Sequence, residues 1–107
     1  MDEARAAGQR TLDDLAVGFL VRPGVDRRRM FGSDALAVDG RIFGFVVPGG
    51  SLVVKVPARR VDELLALPGA ERMQIGRNPA REWVAVPEAT GLWEQLLEES
   101  YAFVRGA

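Results

Sequence analysis

The sequence predicts a two-layer α+β fold in which three helices cover a mainly antiparallel sheet, in the order α-β-β-β-α-β-β-α. Two observations carry this prediction. Apolar residues recur at helical spacing near both ends and in the middle of the chain, and segments rich in Val, Ile and Phe lie between them. With 107 residues, 48% of them hydrophobic and 27% charged, the chain has the composition of one folded domain.

The first helix is predicted to start at Thr11, which can cap it, because Asp14 follows at the spacing of a capping box. Five apolar residues then share one helical face, and Pro23-Gly24 ends the run. They are Leu12, Leu15, Ala16, Phe19 and Leu20. Residues 1–10 are expected to be a tail or an extension of this helix, and residues 11–107 to form the single domain.

Three strands are predicted next, at residues 35–38, 41–47 and 51–56, because two turn signals divide this apolar stretch. Asp39-Gly40 is the pair that a type I′ hairpin requires, since both of its central residues have positive φ. Pro48, Gly49 and Gly50 provide the second reversal. These signals predict an antiparallel meander.

Both faces of this meander are expected to be largely apolar. Strict alternation along the middle strand places residues 42, 44 and 46 on one face and residues 43, 45 and 47 on the other. Five of these six residues are apolar, and the sixth is Gly44. A sheet with one wet face should alternate apolar with polar residues instead. Something is therefore expected to cover the second face, and a homodimer or another protein partner is the prediction.

The second half of the chain predicts one helix, two strands and a last helix. Pro57 fits the first turn of a helix that Pro68-Gly69 ends. Residues 71–75 and 81–86 indicate two short strands joined by a turn at residues 76–79. The last helix is predicted to begin near Ala89 or Thr90, and its buried face is formed by Trp93, Leu96, Leu97, Tyr101 and Val104.

Composition excludes several classes of chemistry. The chain has no cysteine and no histidine. This rules out disulfides, Cys/His zinc sites, thiol nucleophiles and imidazole acid–base catalysis. No cofactor or metal is expected. The N-terminal segment is polar, with Asp2 and Glu3 where a signal peptide carries positive charge, and no stretch is apolar enough for a membrane span. A cytoplasmic protein without membrane contact is therefore the expectation.

A basic cluster is the sharpest charge feature. Residues 21–60 carry eight basic and three acidic side chains, although the whole chain has a net charge of −1. The candidates for binding nucleic acid or an acidic partner are Arg27, Arg28, Arg29, Arg41 and Lys55. Nucleic-acid-binding domains usually have a pI above about 9, whereas the pI here is about 5.4. A solvated strand edge that discourages aggregation is the competing interpretation of the arginines.

Two further functions compete with packing and solvation as interpretations: base stacking by aromatic residues, and a small enzyme that uses carboxylates. Phe31, Phe43, Phe45 and Trp83 are spaced to stack on bases, but core or interface packing is the favoured interpretation in so small a domain. The adjacent carboxylate pairs on the predicted helices point about 100° apart and cannot jointly bind a metal or a proton. Solvated helix faces therefore explain them better than a small enzyme does.

Four segments form an ordered combination of motifs: residues 28–33 (RRMFGS), 36–45 (LAVDGRIFGF), 51–56 (SLVVKV) and 83–87 (WVAVP). With them, nearly the whole chain from about Thr11 onward resembles the N-terminal domain of the TfoX/Sxy family of bacterial competence regulators. Residues at matching places are Met30, Phe31, Gly32, Asp39, Gly40, Phe43, Leu52, Lys55 and Val56. Ser33 stands where the family pattern has a second glycine.

The resemblance implies a two-layer fold of the secretion-chaperone type and a regulatory module without catalytic residues. The regulators also carry a helical C-terminal domain, so a chain that ends at Ala107 is expected to be the N-terminal domain alone. The resulting hypothesis is a non-enzymatic cytoplasmic binding module that self-associates through an apolar sheet face. The alternative is a nucleic-acid-binding domain that uses the basic cluster.

Overall fold

A six-stranded antiparallel sheet, ordered β1-β2-β3-β4-β6-β5, forms one layer of the fold. The computed structural model describes residues 2–30, 32–75 and 78–106. A single 3-10 turn, Glu88–Thr90, precedes the last helix. The elements are α1 (Glu3–Leu20), β1 (Val25–Met30), β2 (Ser33–Val38), β3 (Arg41–Val46), β4 (Leu52–Lys55), α2 (Ala58–Leu64), β5 (Glu71–Ile75), β6 (Asn78–Val86) and α3 (Trp93–Arg105). The predicted α+β class and the mainly antiparallel sheet are confirmed.

The structure adds one strand, β1, to the predicted order. This edge strand pairs with β2 along its whole length, from Val25 opposite Val38 to Met30 opposite Ser33. Its sequence, VDRRRM, lacks an alternation of apolar and polar residues, and four of its six residues are exposed. Hydrogen bonding to β2 rather than burial of side chains makes it a strand, so hydrophobic patterning does not reveal it.

The first helix begins nine residues earlier than the capping signal at Thr11 indicates, since its N-cap is Asp2. Residues 3–10 are thus part of the helix, which is the second of the two forms expected for this segment. Asp2 caps α1 by accepting a hydrogen bond from the backbone N–H of Arg5 at 2.9 Å. Thr11 lies inside the helix, and its hydroxyl donates to Glu88 Oε2 at 2.7 Å. The last helix starts at Trp93, a few residues later than predicted, because the 3-10 turn occupies the expected first turn. Part of the turn predicted at residues 76–79 lies outside the described residues.

The main core lies between one face of the sheet, here called the helix face, and α1, α2 and α3. Phe19 of α1 and Tyr101 of α3 pack around Phe43, with ring centroids 5.8 Å and 5.6 Å from the Phe43 ring. The largest fully buried members are Leu12, Leu36, Phe43, Leu52, Leu64, Leu96 and Leu97, which range from 0% to 2% exposed. Burying each such side chain stabilises the fold by about 1.5–3 kcal/mol.

Both predicted hairpin turns use left-handed backbone. Asp39 and Gly40 have φ of 52° and 82°, as a type I′ turn requires. At the second turn, Gly50 has φ 91° and lies directly beneath α1. A Cβ added at Gly50 would lie 2.5 Å from the backbone oxygen of Ala4, and one added at Gly8 would lie 2.7 Å from Gly50 O. Two glycines therefore permit α1 to approach the β3–β4 turn at backbone contact.

Replacing Gly50 with alanine is expected to destabilise the domain by about 1–3 kcal/mol more than replacing Gly49. Both residues have positive φ, at 91° and 93°, so each alanine suffers similar backbone strain. A Cβ at Gly49 meets no described atom within 4 Å, whereas one at Gly50 meets the backbone of Ala4. Urea unfolding of the two variants measures the difference, and equal losses would contradict this account of the helix approach.

The carboxylate of Asp2 joins the start of α1 to the β3–β4 turn. Its two oxygens accept hydrogen bonds from the backbone N–H groups of Arg5 at 2.9 Å and Gly49 at 2.8 Å. These two bonds lower the pKa of Asp2 below its ordinary value of 3.8. Because the folded pKa is depressed, the stabilisation is fully present above pH 3.8 and is lost as the pH falls through the folded pKa.

The Asp2→Ala variant is therefore expected to unfold at a lower temperature than the wild type at neutral pH, and the gap should narrow on acidification below pH 3.8. Thermal unfolding followed across that range measures this effect. Glu3→Ala is the control, because Glu3 is an exposed carboxylate in the same helical turn. A gap that stays constant with pH would show that Asp2 does not act through its charge.

Candidate binding site on the second sheet face

The face of the sheet opposite the helix face, here called the second face, carries a small apolar cluster. Its four central residues, from β2, β3, β4 and β6, are between 0% and 9% exposed, and they are Ala35, Phe45, Val53 and Ala85. Partly buried side chains surround them as a rim, formed by Met30, Ile42, Val47, Met73 and Trp83. The chain therefore buries the middle of its second face with its own side chains, while the rim remains partly accessible.

A β-bulge at Phe43 breaks the predicted alternation along β3. Leu36 of β2 pairs with Gly44 and Ala37 pairs with Ile42, so Phe43 is the extra residue between two paired positions. The bulge turns the Phe43 ring to the helix face, where it packs in the main core. Ile42 and Phe45 lie on the second face, and the alternation expected from the sequence is wrong at this point. The second face loses a phenylalanine ring there.

The hydroxyl of Ser100 bridges β3 and β4 beside this bulge. It accepts a hydrogen bond from the backbone N–H of Lys55 at 2.9 Å and donates one to the backbone oxygen of Phe43 at 2.7 Å. These two backbone groups face each other across the strands, because Gly44 opposite Val54 is the neighbouring pair. Ser100, which is fully buried, stands between them. It thus holds the strands apart at this end while both backbone groups stay satisfied.

A hollow of about 420 Å³ opens where β3 and β4 separate. This volume lies in the range of small-molecule binding sites, roughly 300–1,000 Å³. Four strands and the last turns of α3 line it, through Met30, Arg41, Ile42, Lys55, Glu82, Trp83, Phe103 and Val104. Met30 and Trp83 stand on β1 and β6, which are four places apart in the sheet, so the sheet curves around this hollow.

The hollow combines apolar walls with charged side chains. Two cations, Arg41 and Lys55, and one carboxylate, Glu82, line it. The Lys55 ammonium lies 5.7 Å from the centre of the Trp83 ring, within the range of a cation–π contact. Among the described residues, no carboxylate lies within 4.0 Å of the Lys55 nitrogen. The hollow therefore offers a partly buried cation without an anionic partner in the described part of the chain.

The three consecutive arginines do not form one basic surface. Register places Arg27 and Arg29 opposite Leu36 and Asp34, and places Arg28 opposite Ala35, so Arg28 lies on the other face of the sheet from its two neighbours. Each guanidinium has a carboxylate within 4.0 Å. The pairs are Arg27 with Asp13 at 4.0 Å, Arg28 with Asp26 at 3.2 Å and Arg29 with Asp34 at 3.4 Å. Of the predicted basic candidates, the hollow brings together only Arg41 and Lys55.

The residues of the TfoX-like pattern have separate structural roles. Met30 and Lys55 line the hollow, Phe43 lies in the core, and Phe31 is outside the described residues. Gly32 has φ 79° in the turn after β1. Ser33, where the family pattern has glycine, does not have positive φ, and its hydroxyl accepts a hydrogen bond from Arg5 at 3.3 Å. A serine therefore fits this position without backbone strain.

The carboxylates predicted on helix faces are dispersed across the molecule. Asp62 pairs with Arg72, Glu98 with Arg22 and Glu99 with Arg60. Across residues 2–30, 32–75 and 78–106, no three His, Cys, Asp or Glu side chains form a group that would hold a metal ion. In the same residues, no helix has both the length and the apolar character that a membrane span requires.

Sequence reasoning identified Lys55, Arg41 and Trp83, but it missed Ser100. A serine at residue 100 continues the buried face formed by Leu96, Leu97 and Val104, where an apolar residue is expected. This polar residue on an otherwise apolar helix face is the feature of the sequence that could have identified Ser100. A buried hydroxyl needs a hydrogen-bonding partner, and here the partner comes from another element. Which backbone groups it meets depends on where α3 crosses the sheet.

Together these elements define a two-layer α+β domain with helices on one sheet face. At the separated ends of β3 and β4 it has a hollow that second-face side chains and the last turns of α3 line together. The TfoX N-terminal domain model matches residues 20–103, and the chain belongs to this family. The family is a regulatory type of domain and not a known family of enzymes, and membership suggests a module like those of competence regulators. Comparison with curated proteins gives no match. Comparison with solved structures gives none either.

Replacing Ser100 with alanine is expected to destabilise the domain by about 2–4 kcal/mol, because the backbone N–H of Lys55 and the backbone oxygen of Phe43 both lose their partner. Ser51→Ala is the control, since Ser51 is only partly buried. Chemical unfolding measures the loss, and amide hydrogen exchange at Lys55 should accelerate. Unchanged exchange at that amide would show that the serine does not bridge the strands.

Proposed function

We propose that this chain is a non-enzymatic, cytoplasmic regulatory module of the TfoX type that binds protein through its second sheet face. The observation that carries the proposal is the asymmetry of the sheet. The main core lies between one face and the helices, whereas the other face presents a rim of five partly buried apolar side chains around its small cluster. Three of these rim residues, Met30, Ile42 and Trp83, also line the hollow.

The composition of the rim supports binding to protein. Methionine, tryptophan and arginine are enriched in protein interfaces. The rim contains Met30, Met73 and Trp83, and Arg41 stands beside it with Lys55 and Glu82. An apolar centre next to polar groups is the usual anatomy of such interfaces. A second copy of the chain is the partner that the sequence predicts, and it can be tested with the purified chain alone.

A different surface competes for this role. The two most exposed large hydrophobic side chains among the described residues are Val17 of α1, which is 65% exposed, and Val21, the residue that follows α1, which is 81% exposed. They lie on the outer side of the helix layer, away from the second face. Isolated exposed apolar residues are common in monomeric proteins, whereas the rim residues adjoin one another around a single cluster. The rim is therefore the better candidate, and Val17 provides a matched control.

The basic cluster supports nucleic-acid binding less well. The ion pairs of Arg27, Arg28 and Arg29 reduce the charge that each presents to a phosphate, and the register divides them between two faces. Phosphate-binding sites depend instead on cations grouped along one surface. Nucleic-acid binding by these residues stays a prediction that salt-dependent retention on DNA or RNA would test.

Sedimentation velocity of the wild type is expected to show self-association in the micromolar range. Ile42→Glu places a charge in the apolar rim, and it should weaken the dimer by about tenfold or more because that carboxylate must lose water in the interface. Met73→Glu, on a different strand of the same rim, should act in the same direction. Val17→Glu is the matched control on α1 and should leave the dimer unchanged. Circular dichroism verifies that each variant is folded.

Two outcomes would overturn the proposal that a second copy binds this face. One is a wild type that remains monomeric at every concentration. The other is a dimer that Val17→Glu disrupts and the two rim variants do not, which would place the contact on α1. Retention on DNA at low salt that is lost when Arg27, Arg28 and Arg29 become alanine would favour the nucleic-acid function instead.

A further inference from the structure

We infer that the hollow at the separation of β3 and β4 is a binding site for a small organic carboxylate with an aromatic or branched apolar body. The carboxylate would pair with Lys55, and the apolar body would lie against Ile42, Trp83 and Phe103. The inference deepens the proposed function, since it rests on the second face being the binding surface, but it does not require that two copies associate.

Lys55 is the side chain that selects an anion. Lys55 is partly buried, and its ammonium nitrogen lies 5.7 Å from the centre of the Trp83 ring, with no described carboxylate within 4.0 Å. A partly dehydrated cation gains more from a charge-assisted hydrogen bond than a fully hydrated one does. Six arginines of the described residues lie within 4.0 Å of a carboxylate, whereas Lys55 does not, so its charge is available to an anionic ligand.

The origin of the hollow explains why it accepts an apolar group. In regular β-structure the side chain of Phe43 would lie on the second face opposite Lys55. The bulge moves that ring to the helix face, and Ser100 holds the strands apart, so space is left next to Ile42 and Trp83. A flat apolar ligand can occupy that space and recover the lost contacts with Trp83.

The charges in the hollow limit the ligand to a low negative charge. Glu82 opposes the two cations Arg41 and Lys55, so the lining carries a net charge of about one positive unit. Glycines with positive φ that would cradle a phosphate are absent from the described lining residues. A nucleoside triphosphate would bring more charge than this lining compensates, and a monocarboxylate matches it.

Naphthylacetate and its neutral amide, naphthylacetamide, provide a matched pair of probes. Amide chemical shifts of the full chain are followed while each probe is added. Saturable binding of the carboxylate is expected, with shifts centred on Ile42, Lys55 and Trp83, and the amide should bind about tenfold more weakly because it lacks the charge.

Three variants then test which groups are responsible. Lys55→Met should weaken carboxylate binding by about tenfold, whereas Arg59→Met, which removes a cation from the exposed side of α2, should leave it unchanged. Glu82→Gln removes the opposing charge and should strengthen binding. A gain of affinity cannot result from partial unfolding, so this third variant keeps the test independent of protein stability.

The inference is overturned if the wild type binds neither probe, if the amide binds as tightly as the carboxylate, or if Lys55→Met and Arg59→Met behave alike. Its failure is separate from that of the proposed function. If the chain dimerises through the rim but binds no carboxylate, only the proposed ligand site is wrong. If it binds the carboxylate at Lys55 but stays monomeric, only the proposed self-association is wrong.

Discussion

A buried hydroxyl between two strands organises much of this domain. The backbone N–H of Lys55 and the backbone oxygen of Phe43 each require a partner, and an unpaired buried group of this kind costs about 1–3 kcal/mol. Ser100 satisfies both from α3. The position of the helix over the sheet is therefore tied to the hydrogen bonding between β3 and β4, and a helix shifted by one residue would leave both groups unpaired.

The bulge in β3 belongs to the same arrangement. It places Phe43 among Phe19 and Tyr101, and Arg22 covers this aromatic group from outside, with its guanidinium 4.4 Å from the Phe19 ring centre. The core thus gains a ring that a regular strand would have placed on the opposite face. The ring that the core gains is missing from the second face, where the hollow lies beside Lys55. Core packing and the candidate binding site are consequences of one irregularity.

Six arginines of the described residues form ion pairs, and several of these pairs join separate elements of the fold. Arg60 and Glu99 form a bidentate pair that joins α2 to α3. Arg60 Nε donates to Glu99 Oε1 at 2.8 Å, and Arg60 Nη2 donates to Glu99 Oε2 at 3.1 Å. Burial acts to raise the pKa of Glu99, but hydrogen bonds from Arg60 and Gln95 outweigh it and hold that pKa below the ordinary value of 4.5. Exposed pairs such as Arg28 with Asp26 contribute little stability. Lys55 differs from these cations because it faces an aromatic ring inside a hollow.

Local patterns in the sequence determined the elements whose signals lie within a few residues. The Asp39-Gly40 turn, the apolar strands around it and the apolar faces of the helices follow from turn geometry and periodicity, and so does the α+β class. Tertiary structure alone decided the rest. β1 is a strand because β2 supplies its hydrogen bonds. Phe43 faces the helices because of the bulge in β3, where the hydroxyl of Ser100 donates to its backbone oxygen. These outcomes depend on partners far away in the chain, and a local pattern carries no information about which backbone groups a distant side chain will meet.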